Sequence, residues 1–416
     1  MFANVSRSRL LPMSLPFRYF GAAVAFQLAA WTMLLWSYRT FVSFEGGLGP
    51  IFAALHLLTL GVLVMTAIGA TLQFLPVATR QPVRALWAVK LAWWCLVLGI
   101  LAFAGAAAVY RPQLMGPGAV LVVAALSIYA VLLWKNLAGA RGMRVVVLHG
   151  WAALACLAVL AATGVALVVF YEHGLALDHA AFRSAHLVLA AYGFMGLLAA
   201  GLSTFLLPML AVAPPPAARI SLAALAVALA AIAAACAGWV ATGALLGLAA
   251  AIGHVASLER ALRARLRGPL GPAFVLIRVS WACLLGSLAL AALGFPGGTL
   301  PFAVLLVPGW LLTFLLGVMQ RILPFLGSVH ASSPARGTPL ISALTPVRLL
   351  ALHRVLHLGA LALLLGAAFL GAPLAAGLGA AAGLAGAAAF AAFYTYVLVK
   401  VRNHANAYPP SQPAPA

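Results

Sequence analysis

HLLTLGVLVMTAIGATLQFLP, residues 56–76, is one apolar run with a histidine at its head, glycines at 61 and 69, and Leu-Pro at its end. The same frame of Gly, seven residues, Gly, six residues and Pro returns as Gly193/Gly201/Pro208 and as Gly309/Gly317/Pro324. Each copy closes on Leu-Pro, and two carry a histidine upstream, His56 and His186. The copies lie 132 and then 116 residues apart (193 − 61 and 309 − 193), which marks an internal repeat. Spacing alone is a loose criterion, since Gly286/Gly294/Pro301 also fits it while straddling a loop between two apolar runs.

Outward from these runs the chain stays apolar. Of its 416 residues, 66% are hydrophobic and only 7% charged, with a mean hydropathy of +1.14. A soluble core has no room for that much apolar surface, so the fold class is an all-α polytopic membrane protein. A helix of about 20 apolar residues, rising 1.5 Å per residue, crosses about 30 Å of hydrocarbon. Twelve such segments are predicted, near 19–42, 50–77, 85–108, 117–134, 145–171, 184–211, 219–237, 240–258, 273–293, 301–326, 346–370 and 373–399. The run 219–258 divides near Gly238, because two short crossings keep Arg219 and Arg260 on the same side.

A net charge of +20 points to nucleic acid until the basic residues are sorted by loop. With the N-terminus inside, all but three of the 24 Lys and Arg fall at inner ends, the exceptions being Arg39, Arg111 and Arg183. Three of the four acids, Glu45, Glu172 and Asp178, lie outside. This positive-inside bias predicts cytoplasmic termini in a bacterial-type inner membrane, with lipid and not nucleic acid as the partner. The first segment is too long for a removed signal peptide and lacks a small-residue cleavage site, so it reads as a retained anchor. Cys95, Cys156, Cys236 and Cys283 all fall inside segments and form no CxxC, which makes them packing residues and not disulfides or haem anchors.

The three glycine frames fall on segments 2, 6 and 10. One transmembrane domain over residues 1–408 is therefore expected, as three arcs of four helices with repeat units at about 18–135, 144–258 and 273–400. The Pro/Ala-rich tail, 409–416, is expected to be disordered. A second echo agrees: Pro82-Val83-Arg84 and Pro346-Val347-Arg348 open segments 3 and 11, while Arg18, Arg144 and Arg278 open segments 1, 5 and 9. Glycines eight apart lie within about 80° on an α-helix, giving a smooth strip for a neighbouring backbone or a flat ligand. Gly61, Gly69, Gly193 and Gly201 are thus candidates both for helix packing and for lining a cofactor.

Ionisable side chains inside a membrane are costly and tend to face the bundle interior. His56 and His186 enter from the outer side at similar depth, five and seven residues before their repeat glycines. A two-residue offset turns a helical side chain by about 200°, so the two rings either share one groove between segments 2 and 6 or point into different ones. If they share it, they suit the two axial positions of a haem iron. His353 and His357 stand i, i+4 on segment 11, a spacing that suits metal ligation, with His149 as a further inner donor; packing or lipid-phosphate contact is the plainer role for His353. The outer loop Glu172-His173 … Asp178-His179 holds copper or zinc donors without tight spacing, and reads first as a solvated loop. Gln73, Gln320 and Arg321 sit near inner ends, Arg321 either snorkelling to the interface or meeting a cofactor carboxylate. No phosphate-binding loop and no buried carboxylate pair is present in the sequence.

Twelve helices in three arcs of four, with outer-side histidines on segments 2 and 6, resemble the haem–copper oxidase subunit I superfamily. The run His186-x6-Gly193-x7-Gly201-x6-Pro208 is similar to the His/Gly/Gly/Pro stretch of the NnrS family, twelve-helix haem proteins linked to nitric oxide metabolism. The oxidases take a His-His pair from helix 7 and further haem ligands from helix 10; here segment 7 has no histidine and segment 10 none before His330. The Trp-Thr-Gly after the NnrS proline is replaced by Met209-Leu210-Ala211. The resemblance therefore implies a b-type haem protein of respiratory or nitrosative metabolism, without the dinuclear centre and without an assigned catalytic residue, partnered by electron-transfer proteins. Two other classes fit the same composition: a transporter or channel using the central grooves, and a cofactorless scaffold for a respiratory complex.

Overall fold

Helices account for every long element of the computed structural model, which describes residues 10–266, 268–295, 297–332 and 337–407; no β-strand occurs among these. Twelve are long and apolar enough to cross a membrane: α1 Ser14–Trp36, α2 Pro50–Thr79, α3 Leu86–Ala108, α4 Pro112–Ala138, α5 Arg144–His173, α6 His179–Ala211, α7 Ala218–Cys236, α8 Val240–Arg263, α9 Ala273–Leu293, α10 Thr299–Ala331, α11 Val347–Leu370 and α12 Pro373–Asn406. The architecture is that of a multi-pass membrane protein, and Gly238 does separate α7 from α8. The tail 409–416 lies outside the described residues.

Two ends differ from the expectation for local reasons. The first crossing covers Ser14–Trp36 and not 19–42, because Ser37 leaves helical geometry (φ −108°, ψ 17°) and its hydroxyl donates to the Met33 carbonyl. A short turn, Tyr38–Thr40, follows. The sixth crossing begins five residues before the expected 184, where the Asp178 carboxylate accepts from the Ala181 N–H and caps α6.

Three helices are not α-helical throughout. Leu57–Val64 in α2, Leu189–Gly196 in α6 and Leu305–Leu312 in α10 are eight-residue π-helical stretches. Gly61, Gly193 and Gly309 each stand fifth in their stretch, so the sequence frame and the backbone anomaly coincide. Because π-helix is well under 1% of residues in globular proteins, three copies in one register reflect the repeat and not chance. These three helices are also the most buried, at 72%, 72% and 67% of their spans, and the π stretch of α10 touches those of α2 and α6. Around them, α3 packs on α4, α4 on α5, α7 on α8, α8 on α9, α11 on α12, and α12 returns to α1.

The repeat glycines all do the same work. A Cβ on Gly61 or Gly69 would meet Phe26, or Tyr19 and Phe20, of α1; on Gly193 or Gly201 it would meet Cys156 or His149 of α5; on Gly309 or Gly317 it would meet Cys283, or Ala273, Leu276 and Ile277, of α9. Each central helix thus lays its glycines against the helix before it, the close approach that small residues permit in membranes. This corrects one expectation: Gly61, Gly69, Gly193 and Gly201 are packed against side chains of a neighbouring helix and do not border an open slot. It also explains two thiols, since the free cysteines Cys156 and Cys283 are the knobs opposite Gly193 and Gly309; Cys95 is half-buried and Cys236 is exposed.

Candidate functional site

Beside the central helices runs a cavity of about 800 Å3, within the range of small-molecule and cofactor sites. Its wall is mainly apolar, with Leu63, Leu126, Leu160, Phe103 and Phe194 on the α2–α6 side and Ala228, Ala231, Gly243 and Gly247 of α7 and α8 beyond α6. Both His56 and His186 line it. Of the two arrangements open in the sequence, lining by both residues favours the shared groove.

Their second nitrogens are engaged. His56 Nδ1–H donates to the Phe52 carbonyl one turn earlier (3.0 Å), which leaves Nε2 as the lone-pair nitrogen. Phe52 and Phe103 hold the ring from two sides, with centroids 4.1 and 5.2 Å away. The Thr163 hydroxyl donates to the Leu160 carbonyl (2.9 Å), so its oxygen accepts from His186 Nδ1–H at 3.4 Å, again leaving Nε2 open. Gly164, beside the His186 ring, makes the room that a larger residue of α5 would fill. A ring N–H held by a carbonyl or hydroxyl, with the other nitrogen free, is the arrangement by which proteins orient metal-binding imidazoles.

The cavity floor lies deep. His149 is fifteen residues before Gly164 on the same helix, roughly 22 Å away at 1.5 Å per residue. His149 Nδ1–H donates to the Val145 carbonyl (2.8 Å), and His254 of α8 donates from Nε2 to Ser203 of α6 (3.1 Å), whose hydroxyl is spent on the Ala200 carbonyl (2.7 Å). In the limb toward α10, Tyr192 stacks on Trp310 with centroids 5.4 Å apart and hydrogen-bonds Ser287 at 3.2 Å. At the mouth, beside the loop between α5 and α6, stand Glu45, Tyr171, His179, Arg183 and Ser184.

His353 and His357 are elsewhere, each with one ring nitrogen bonded to α10. Gln320 Nε2–H of α10 donates to His353 Nδ1 (2.9 Å), while His357 Nε2–H donates to Thr313 Oγ1 (2.7 Å). The two rings lie nearly parallel, 5.8 Å apart, and neither lines the cavity. They tie α11 to α10. Gln73 likewise joins α2 to α10 through His330 (3.1 Å), and Arg321 donates to the Leu210 carbonyl at the C-terminal end of α6 (3.0 Å).

The loop between α5 and α6 also resolves into structure. Glu172 accepts from the Gly116 N–H (2.7 Å) in the first turn of α4, a favourable place for a carboxylate, and Asp178 caps α6. His179 stacks on Phe170 and bonds the Tyr171 hydroxyl (3.2 Å). Among the described residues no three His, Cys, Asp or Glu side chains converge as a metal-ion site. The sequence reading missed Arg183, His254, Tyr192 and Trp310 as cavity residues. Arg183 carried a signal, as one of three basic residues outside the positive-inside pattern, and so did His254, as a histidine near the end of an apolar segment.

No protein-family model matches this chain, and none of the curated proteins matches it.

Proposed function

We propose that this protein binds a haem, of b-type, in the cavity beside α2 and α6, where His56 and His186 would hold its iron, in a bacterial inner membrane with both termini cytoplasmic. One observation carries the reading: two imidazoles from separate helices face one apolar cavity of about 800 Å3, each with Nδ1–H committed and Nε2 free. The three π stretches in register support the wider reading of three four-helix arcs around central α2, α6 and α10. A haem held there supplies one-electron and small-gas chemistry, which fits a role in respiratory or nitric oxide metabolism. The chain's own contribution is to bind and orient: Phe52, Phe103 and Thr163 fix the two rings, and leucine and phenylalanine side chains supply an apolar wall.

The test is optical. Protein expressed with ample haem and purified in mild detergent shows a Soret band, and His56→Ala and His186→Ala each alter it. Absence of the band removes the reading; a band unaltered in both variants removes the ligand assignment. The depth of the cavity, roughly 22 Å along α5, favours one other reading, a transporter whose central helices are interrupted in the membrane. Solute flux in proteoliposomes of haem-free protein would support that instead.

A further inference from the structure

An arginine on the outer side of a membrane protein runs against the bias that distributes the rest of this chain's charge. Three do so. Arg39 and Arg111 are exposed loop residues, Arg39 bonded to its neighbour Tyr38 (3.2 Å), and neither lines the cavity. Arg183 does line it, at the mouth.

Its place on α6 gives it a direction. His179, Arg183 and His186 are spaced i, i+4 and i+7, one face of a helix, and all three line the cavity from rim to wall. Arg183 stands one turn outward of His186, so a ligand held by His186 has its outer edge beside the guanidinium. That guanidinium is underused. It makes one bond from Nη1, to the Glu45 backbone carbonyl at 3.3 Å, and forms no ion pair with any carboxylate among the described residues. The planar fork of five N–H donors matches a carboxylate bidentately. Ser184 adds a hydroxyl to the same rim.

We infer that Arg183 is the anchor for the carboxylate edge of the ligand, fixing a flat, apolar dicarboxylate such as protoporphyrin with its acid side arms toward the outer surface. The inference rests on the haem reading above and adds the orientation of the group and the residue that selects it. Arg183 positions the ligand and does not bind iron.

The experiment compares two probes, ferric protoporphyrin IX and its dimethyl ester, titrated by Soret absorbance into haem-depleted full-length protein in detergent. The unaltered protein prefers the diacid by about tenfold or more, the scale of a hydrogen bond to a charged group. Arg183→Gln binds the two probes equally, and Arg183→Lys keeps part of the preference. Arg183 is exposed, so its replacement leaves the helical core intact. An undiminished preference in Arg183→Gln, or equal binding of the two probes by the unaltered protein, overturns the inference while haem binding stands. Failure of both probes to give a Soret band in the unaltered protein overturns the haem reading, and this inference with it.

Discussion

Thr313→Val tests whether the histidines of α11 are structural. Thr313 closes the π stretch of α10: its hydroxyl donates to the Pro308 carbonyl five residues back (2.7 Å) and accepts from His357 Nε2–H (2.7 Å). Thr313 and His357 are 0% and 2% exposed, so water does not replace a lost partner. Valine keeps the shape and strands the His357 N–H. Interhelical hydrogen bonds in membranes average about 0.6 kcal/mol and reach about 1.7, whereas leaving a buried group unpaired costs about 1–3 kcal/mol. With one N–H stranded in a dry interface, the expected destabilisation is about 1–2 kcal/mol. In a double-mutant cycle with His357→Leu, followed by reversible detergent unfolding, the coupling energy is expected near 1–1.5 kcal/mol, above the additivity scatter of about 0.5. Soret absorbance stays unchanged throughout. A coupling within that scatter, or loss of haem in either single variant, refutes the assignment.

Gly201→Val puts a Cβ 2.5 Å from the His149 Cβ, the root of a side chain that cannot swing away; overpacking of about 1–3 kcal/mol lowers the thermal midpoint, and a tolerant midpoint contradicts the α5–α6 contact. Glu172→Gln weakens the charged cap on Gly116 N–H by about 0.5–1 kcal/mol, read as a small fall in midpoint with haem content unchanged. Phe103→Leu removes the ring 5.2 Å from His56, so the haem spectrum moves at full haem content; an identical spectrum places His56 away from the iron.

Much of the architecture is written in bulk properties. Twelve apolar runs, each near the length of a bilayer, and a one-sided distribution of Lys and Arg need no knowledge of packing, and α9 was bounded correctly at Ala273–Leu293. The errors are local. Ser37 ends α1 through its own hydrogen bond, which hydropathy does not register. The glycine frame was visible, but its meaning was not: spacing gives a face, and which neighbour covers that face depends on the whole bundle. Assuming 100° per residue also fails where the backbone is π-helical, as it is around Gly61, Gly193 and Gly309. No residue type announces that geometry. His56 and His186 were legible as intramembrane imidazoles, whereas their shared cavity required coordinates. The i, i+4 spacing of His353 and His357 was legible, whereas their partners Gln320 and Thr313 lie on another helix and required the structure. His254 was passed over because its partner Ser203 lies on α6, 51 residues away.

The central claim is that His56 and His186 together hold one iron. Low-temperature electron paramagnetic resonance of the oxidised, purified protein tests it most directly. The account predicts a low-spin ferric signal of a haem with two imidazole ligands, converted to high spin in His56→Ala and in His186→Ala alike. A low-spin signal that survives in both variants, or a preparation with no haem iron, contradicts it.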